Sequence, residues 1–321
     1  MVSWPKAAYR ITVNYLVFIF DSGTFSARRL ALLGATVACF LCPASNVRAQ
    51  RRAIPDANLA YPGLIQFPDE KASGFFISTG NSIYLVTAKH VLFTIPTGTP
   101  PTSHVRGGHM TLLSYPRDPK EPGVNIIQVD MMALSQKGEI KGHSVADVAV
   151  VHISDIVTVP TDNSPSGQFL QFIGGVTGST TTKSGVLGVA MDAIKKYDEV
   201  LVANEVLLFG YPTSLGIEGT PQLDPQRPLL RRGIVAGLNP NRKSIIIDCP
   251  SYPGNSGGPV VEADPLDFQF QTKFMVIGVV SEFVPFEEKS INYPIPYQNV
   301  NISNSGYTIV TPMDFVLELV K

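Results

Sequence analysis

Sulfur and charge are both scarce in this sequence. Only three cysteines occur in 321 residues, at positions 39, 42 and 249. Cys39 and Cys42 form a CxxC, a pattern used for redox chemistry or zinc. Both lie inside an apolar N-terminal run, which removes those readings, and Thr36 stands where a lipobox needs an aliphatic residue. With that run set aside Cys249 is alone, so no internal disulfide framework is available. Stability must come from an apolar core, which a chain of this length can supply. Charged residues make up 16% of the chain, with 25 basic against 26 acidic. The absence of a basic excess removes nucleic acid as the expected partner, and no long charge run marks an interaction tail. No repeat period and no strand-helix-strand alternation are found, which excludes solenoids and doubly wound folds.

What the sequence does contain is apolar residues, 44% of the total, divided by 27 glycines and 26 prolines. That is too apolar for disorder and is punctuated as many short strands require. Arg28 and Arg29 precede "LALLGATVACFLC", residues 30–42, and Val47-Arg48-Ala49 is a small-residue cleavage pattern. Residues 1–49 therefore read as a secretory leader, and the protein as secreted or periplasmic. The apolar "ITVNYLVFIF" at 11–20 makes the leader unusually long. Retention as a membrane anchor is the competing reading.

From about residue 60 the pattern is strand-like. "GLIQF", "GFFIST", "SIYLVTAKHVLF", "HMTLLSYP", "NIIQVDMMAL" and "DVAVVHI" form a first set, ending near 158. "VPTDNSPSGQ", residues 159–168, reads as a polar surface connection. A second set runs from about 185 to 310 and includes "EVLLFGYP", "SIIIDCP", "GPVVEA" and "FMVIGVVSEF". A helix over about 312–320 follows, with Thr311 as N-cap and Pro312 at its first position. The expected fold is all-β: two packed antiparallel β-barrels or sandwiches and a short C-terminal helix, one domain over 50–321. The strands and helix after Ser256 use up the remaining chain, so no further domain is expected there.

Three stretches concentrate chemistry. "YLVTAKHVL" puts His90 at the end of a hydrophobic strand, "HSVADVAVVHI" puts Asp147 at the start of another, and "YPGNSGGPVV" surrounds Ser256 with Gly254, Gly257 and Gly258. A serine hydroxyl is a weak nucleophile until a base takes its proton, and an imidazole has the matching pKa. A carboxylate fixes the imidazole tautomer. Glycines let backbone N–H groups converge on a developing oxyanion.

"TAKHV", "DVAVV" and "GNSGGP", in that order, resemble the three catalytic signatures of the chymotrypsin-like serine proteases. The likeness runs from about residue 60 to 321 and is closest to exported bacterial members without a PDZ domain. It implies the barrels, with Ser256 as nucleophile, His90 as base and then acid, and Asp147 as orienter. It implies an oxyanion hole from the N–H groups of Gly254 and Ser256. "VVSEF", residues 279–283, looks like the strand that holds an extended substrate, so Ser281, Glu282 and Phe283 are expected substrate-binding residues. The implied activity is hydrolysis of peptide bonds in a protein or peptide substrate by a monomer, with no metal and no organic cofactor.

The departures from the family pattern carry information too. Asn255 replaces an aspartate that in many relatives pairs with a newly cut N-terminus, so no such activation switch is expected. "CPSYP", residues 249–253, brings no acid to the primary pocket, and Phe283 is bulky. Small or apolar side chains are the expected preference. Cys249 reads as a buried apolar residue. His104 and His109 lack a third ligand for a metal. His143 and His152 read as structural or exposed, and Asn301 opens an N-x-S sequon. Two rivals remain. One is a protease-fold binding protein whose cleft is occluded, with "GIEGTPQLDPQRP" at 216–228 as the plug. The other is an esterase, but no G-x-S-x-G elbow stands in a strand-to-helix context here, and the residue order is wrong for that fold.

Overall fold

Alternating side chains on the strands sort this chain into two curled sheets with three layers of core. The computed structural model describes residues 54–94, 103–116, 121–161, 164–181, 185–213, 219–265, 272–292 and 297–320. The expected leader, with Cys39 and Cys42, lies outside the described residues.

The first sheet has ten strands. Its main path contains β1 (Pro62–Gln66), β2 (Lys71–Ser78), β3 (Ser82–Thr87), β6 (His109–Ser114), β7 (Asn125–Asp130), β9 (Ala149–Thr161), β10 (Ser164–Phe172) and β11 (Val176–Thr180). The order is β10-β9-β3-β2-β1-β6-β7-β11. β8 (Ile140–Gly142) pairs with β9, and β12 (Val189–Ala190) pairs in parallel with β2. β4 (Phe93–Thr94) and β5 (His104–Val105) form a separate small ribbon.

The second half is a closed barrel in the order β13-β14-β15-β18-β17-β16. Its strands are β13 (Glu205–Gly210), β14 (Leu229–Asn239), β15 (Ser244–Asp248), β16 (Pro259–Pro265), β17 (Thr272–Asn292) and β18 (Tyr297–Pro312).

On β2, Phe76 and Phe75 point to opposite faces, as the two-residue period of a strand demands. Phe76 joins Ile65, Leu85, Leu92, Met110, Leu112 and Val151 inside the first sheet. Phe75 and Ile77 join Val86 and Val150 on the outer face, where they meet Phe209, Val261, Val276 and Val279 of the barrel and Met313 and Val316 of the C-terminal helix. Val206, Leu208, Val235, Ile245, Val260 and Val310 fill the barrel itself. Each such side chain contributes roughly 1.5–3 kcal/mol relative to exposure. The middle layer joins the halves and fixes the cleft between them.

Four local expectations are corrected. Residues 159–161 and 164–168 are no connection; they belong to β9 and β10, so the first sheet extends beyond 158. Pro165 of edge strand β10 lies in a bulge between Ser164 and Gly167, and Pro160 of β9 stands opposite it, so neither takes part in the pairing. The barrel begins at Glu205, not near 185. "NIIQVDMMAL" is strand only to Asp130, whose carboxylate accepts the Ala133 N–H (3.0 Å) and caps the helix Met131–Gln136. The C-terminal helix covers Met313–Leu319, its N-cap being Pro312 and not Thr311, which stays in β18.

Candidate active site

His90 sits one turn beyond the strand that was expected to carry it. β3 ends at Thr87, and Lys89–Leu92 form a single helical turn. Val91 and Leu92 are buried and anchor the turn in the first core, leaving His90 with 43% of its side chain exposed. Asp147 closes the turn that leads into β9. Its Oδ1 accepts the His90 backbone N–H (3.0 Å), and its Oδ2 lies 2.7 Å from His90 Nδ1. A carboxylate only accepts, so Nδ1 carries the proton and Nε2 keeps its lone pair. The bond to Asp147 raises the His90 pKa above the ordinary imidazole value. Partial burial opposes it, and the negative charges of Asp147, Glu70 and Glu282 add to it.

Ser256 lies on the loop between β15 and β16. Asn255 organises this loop: it is buried, its Oδ1 accepts the Tyr252 N–H (3.1 Å), its N–H donates to Tyr252 O (2.9 Å), and its own carbonyl accepts the Gly258 N–H (2.9 Å). A neutral side chain thus closes its own turn. Gly254 has φ +87° and Gly257 φ +85°, conformations that side-chain-bearing residues rarely adopt. Among the described residues, the N–H groups of Gly254 and Ser256 have no acceptor. The Ser256 hydroxyl likewise makes no hydrogen bond there, including to His90.

Two residues that the sequence reading missed join the halves at this point. Ser73 on β2 is fully buried; its N–H donates to Ser256 O (3.0 Å), and its hydroxyl donates to Gly254 O (2.6 Å) while accepting the Tyr211 N–H (2.9 Å). Thr87, three residues before His90, donates its hydroxyl to Ser73 O (2.7 Å). A Cβ on Gly257 would fall 2.0 Å from Thr87 Oγ1 and 2.2 Å from Ser73 O. The serine loop is therefore docked on the strand end that presents His90. The available signal was a small hydroxyl residue next to the apolar run of each of two strands, Ser73 before "GFFI" and Thr87 after "YLV".

Beside Ser256 opens a pocket of about 220 Å³, lined by Ser251, Tyr252, Pro253, Val280, Ser281, Glu282 and Phe283. All three expected substrate-binding residues are in it. Val280 exchanges backbone bonds with the serine loop, Gly257 N–H to Val280 O (2.8 Å) and Val280 N–H to Gly258 O (2.9 Å). Pairing of β17 with β16 stops at Val279. Among the described residues, no strand covers that side of Ser281–Phe283, which leaves an edge for an extended chain. The Ser281 hydroxyl meets Thr311 Oγ1 (2.5 Å). The wall before Ser256 has no acid, as expected, but the opposite wall contributes Glu282.

The remaining candidates separate. Cys249 is buried, and burial pushes its thiol up to about 11, which keeps it unreactive. His104 and His109 are exposed and lie on different sheets. His152 bridges Glu139 (3.0 Å) and Asp155 (3.1 Å) and stacks on Tyr84. His143 is buried. Asn301 is exposed on β18. Residues 216–218 of the expected plug lie outside the described residues; further along, Arg227 packs over the Tyr115 ring at 4.5 Å, on the first sheet. No described residue of that segment lines the pocket.

The curled sheet followed by a closed six-stranded barrel is a chymotrypsin-like fold. Residues 72–265 match the trypsin-like peptidase domain family, and the chain belongs to that family. No curated protein matches the chain. Among solved structures, similarity extends to the HtrA-type protease AlgW with a tripeptide, at 15% identity over 82% of this chain and a TM-score of 0.41. It extends also to Deg5, at 16% identity over 81% of this chain and a TM-score of 0.42, and to the protease Anisep from Arthrobacter nicotinovorans, at 15% over 79% and 0.38. The matched part spans 60% of the AlgW chain, 87% of Deg5 and 90% of Anisep.

Proposed function

We propose that the protein is a serine endopeptidase that cleaves peptide bonds through an acyl-enzyme. The observation that carries this reading is the two-point grip of Asp147 on His90, which leaves Nε2 as a base beside the serine loop. Ser256 Oγ attacks the scissile carbonyl carbon and its proton passes to His90 Nε2. The oxyanion takes the N–H groups of Gly254 and Ser256. Collapse of the tetrahedral adduct breaks the C–N bond, and His90 returns the proton to the leaving amine. Water then repeats the sequence on the acyl ester. An extended peptide pairs with the open edge at Ser281–Phe283. The protein works as a monomer and is exported by residues 1–49.

The test is labelling with a fluorophosphonate, which phosphonylates only an activated serine. Stoichiometric labelling of the native chain, lost in His90→Ala, is expected. A folded native chain that does not label overturns the proposal and favours a binding protein with a silent cleft.

The pH profile follows from the His90 environment. Protonated imidazole cannot accept the serine proton, so activity falls as pH drops through the His90 pKa. Because Asp147 raises that pKa, the acid midpoint of kcat/KM is expected above the usual imidazole value of about 6.5. A flat profile between pH 5 and 9 removes His90 from the base role.

Substrate preference is set by the pocket. Tyr252, Pro253 and Phe283 surround it, and its near wall carries no charge. Cleavage of a peptide library is expected to favour small or apolar residues before the scissile bond. A dominant preference for Arg or Lys there refutes this and assigns the selecting charge to Glu282.

A further inference from the structure

We infer that His143 is a positioning residue for the His90–Asp147 pair, acting through the acceptor lone pair on its Nδ1; the inference rests on the proposed triad. The turn that presents Asp147 begins at His143. The His143 N–H donates to Val148 O (2.9 Å), and the Val148 N–H donates to Ala146 O (2.9 Å). Inside this loop, His143 Nδ1 accepts the N–H groups of Val145 (3.2 Å) and Ala146 (2.9 Å). Val145 at the tip is 89% exposed, so nothing packs over the turn to hold it from outside. The imidazole holds it from within.

The geometry also fixes the tautomer. A nitrogen that accepts two N–H bonds carries no proton, so the proton is on Nε2 and is donated to Glu318 Oε2 (3.1 Å) on the C-terminal helix. The ring packs against Phe315, with centroids 4.9 Å apart. Its backbone serves the other partner of the pair: Lys89 Nζ donates to His143 O (2.7 Å), and Lys89 is the residue before His90. One buried residue thus braces the turn bearing Asp147 with its side chain and the turn bearing His90 with its carbonyl. Loss of the Nδ1 acceptor frees two N–H groups directly before Asp147. The carboxylate is then no longer fixed to both His90 Nδ1 and the His90 N–H. Misplacement of a catalytic group by about 1 Å costs on the order of 100-fold.

Two substitutions separate this role from packing. His143→Asn keeps an acceptor at the place of Nδ1 and loses the Glu318 bond. His143→Gln reaches toward Glu318 and has nothing at Nδ1. Three readouts on the full-length chain are taken together: the fluorophosphonate labelling rate, kcat and KM on a peptide substrate, and the downfield proton resonance of His90 Nδ1 in the Asp147 bond. The expected result is labelling and kcat about 10- to 100-fold lower in His143→Gln with KM nearly unchanged, a weakened His90 resonance, and recovery to within about threefold in His143→Asn. Native behaviour of His143→Gln overturns the inference. So do equal losses in both variants, which is the result of packing alone. If the native chain itself fails to label, the peptidase reading falls. The His90 resonance then decides: retained in Asn and lost in Gln supports the positioning role, and any other pattern refutes it.

Discussion

Ser256→Ala is expected to abolish fluorophosphonate labelling and to lower peptide hydrolysis by a factor of about a million, with stability changed by less than about 0.5 kcal/mol. The two halves of this expectation have different causes. Activity is lost because the proposed nucleophile is the only atom that can form the acyl bond. Stability is kept because the hydroxyl makes no hydrogen bond to any described residue, so its removal orphans no partner. Labelling measured beside a urea unfolding curve checks both. Residual labelling in Ser256→Ala would place the reactive hydroxyl elsewhere. A large stability loss would mean that Ser256 is held by contacts a structural residue makes.

Gly257→Ala is expected to do the reverse: it alters none of the proposed catalytic side chains and yet costs about 3 kcal/mol or more of unfolding free energy, together with all labelling. The backbone there has φ +85°, where a Cβ costs roughly 1–2 kcal/mol by itself. The added methyl must also displace Thr87 Oγ1 and Ser73 O, both of which it would approach far inside contact distance. Since Ser73 is itself bonded to Ser256 O and Gly254 O, yielding there moves the serine loop away from His90. Urea denaturation gives the stability change. A loss below about 1 kcal/mol with labelling intact would show that the halves are not joined through this contact.

The legible parts of the sequence were those in which one residue's chemistry demands its neighbours. Glycines around a serine, a histidine after "LVTA" and an aspartate before "VAVV" identify one another because each is useless alone. Alternating apolar runs gave both sheets for the same reason, since a strand can bury only what its period places on one face. The strand residues at 159–161 and 164–168 were not legible. Two prolines normally end a strand, and only the bulge that leaves both out of the pairing permits them. Ser73 and Thr87 were not legible either. A serine or threonine in a strand is locally indistinguishable from a filler, and its value here depends on a loop some 180 residues away. Glu282 was expected near the substrate, but its charge inside the pocket wall depends on the bulge between Val280 and Glu282.

On the proposed mechanism, the order of the strands also governs when the chain can first attack other proteins. His90 and Asp147 belong to the first sheet, Ser256 to the barrel, and the pocket wall at 281–283 is backed by β18, where Thr311 holds the Ser281 hydroxyl. During synthesis the proposed base and its orienter emerge long before the proposed nucleophile, and that serine before residues 281–283. A nascent chain released as far as residue 280 carries all three triad residues and still has no completed barrel, because β15 and β17 both pair with β18. Closure of the barrel is thereby deferred to β18. On the proposed mechanism, proteolytic competence arrives only once that strand has been made.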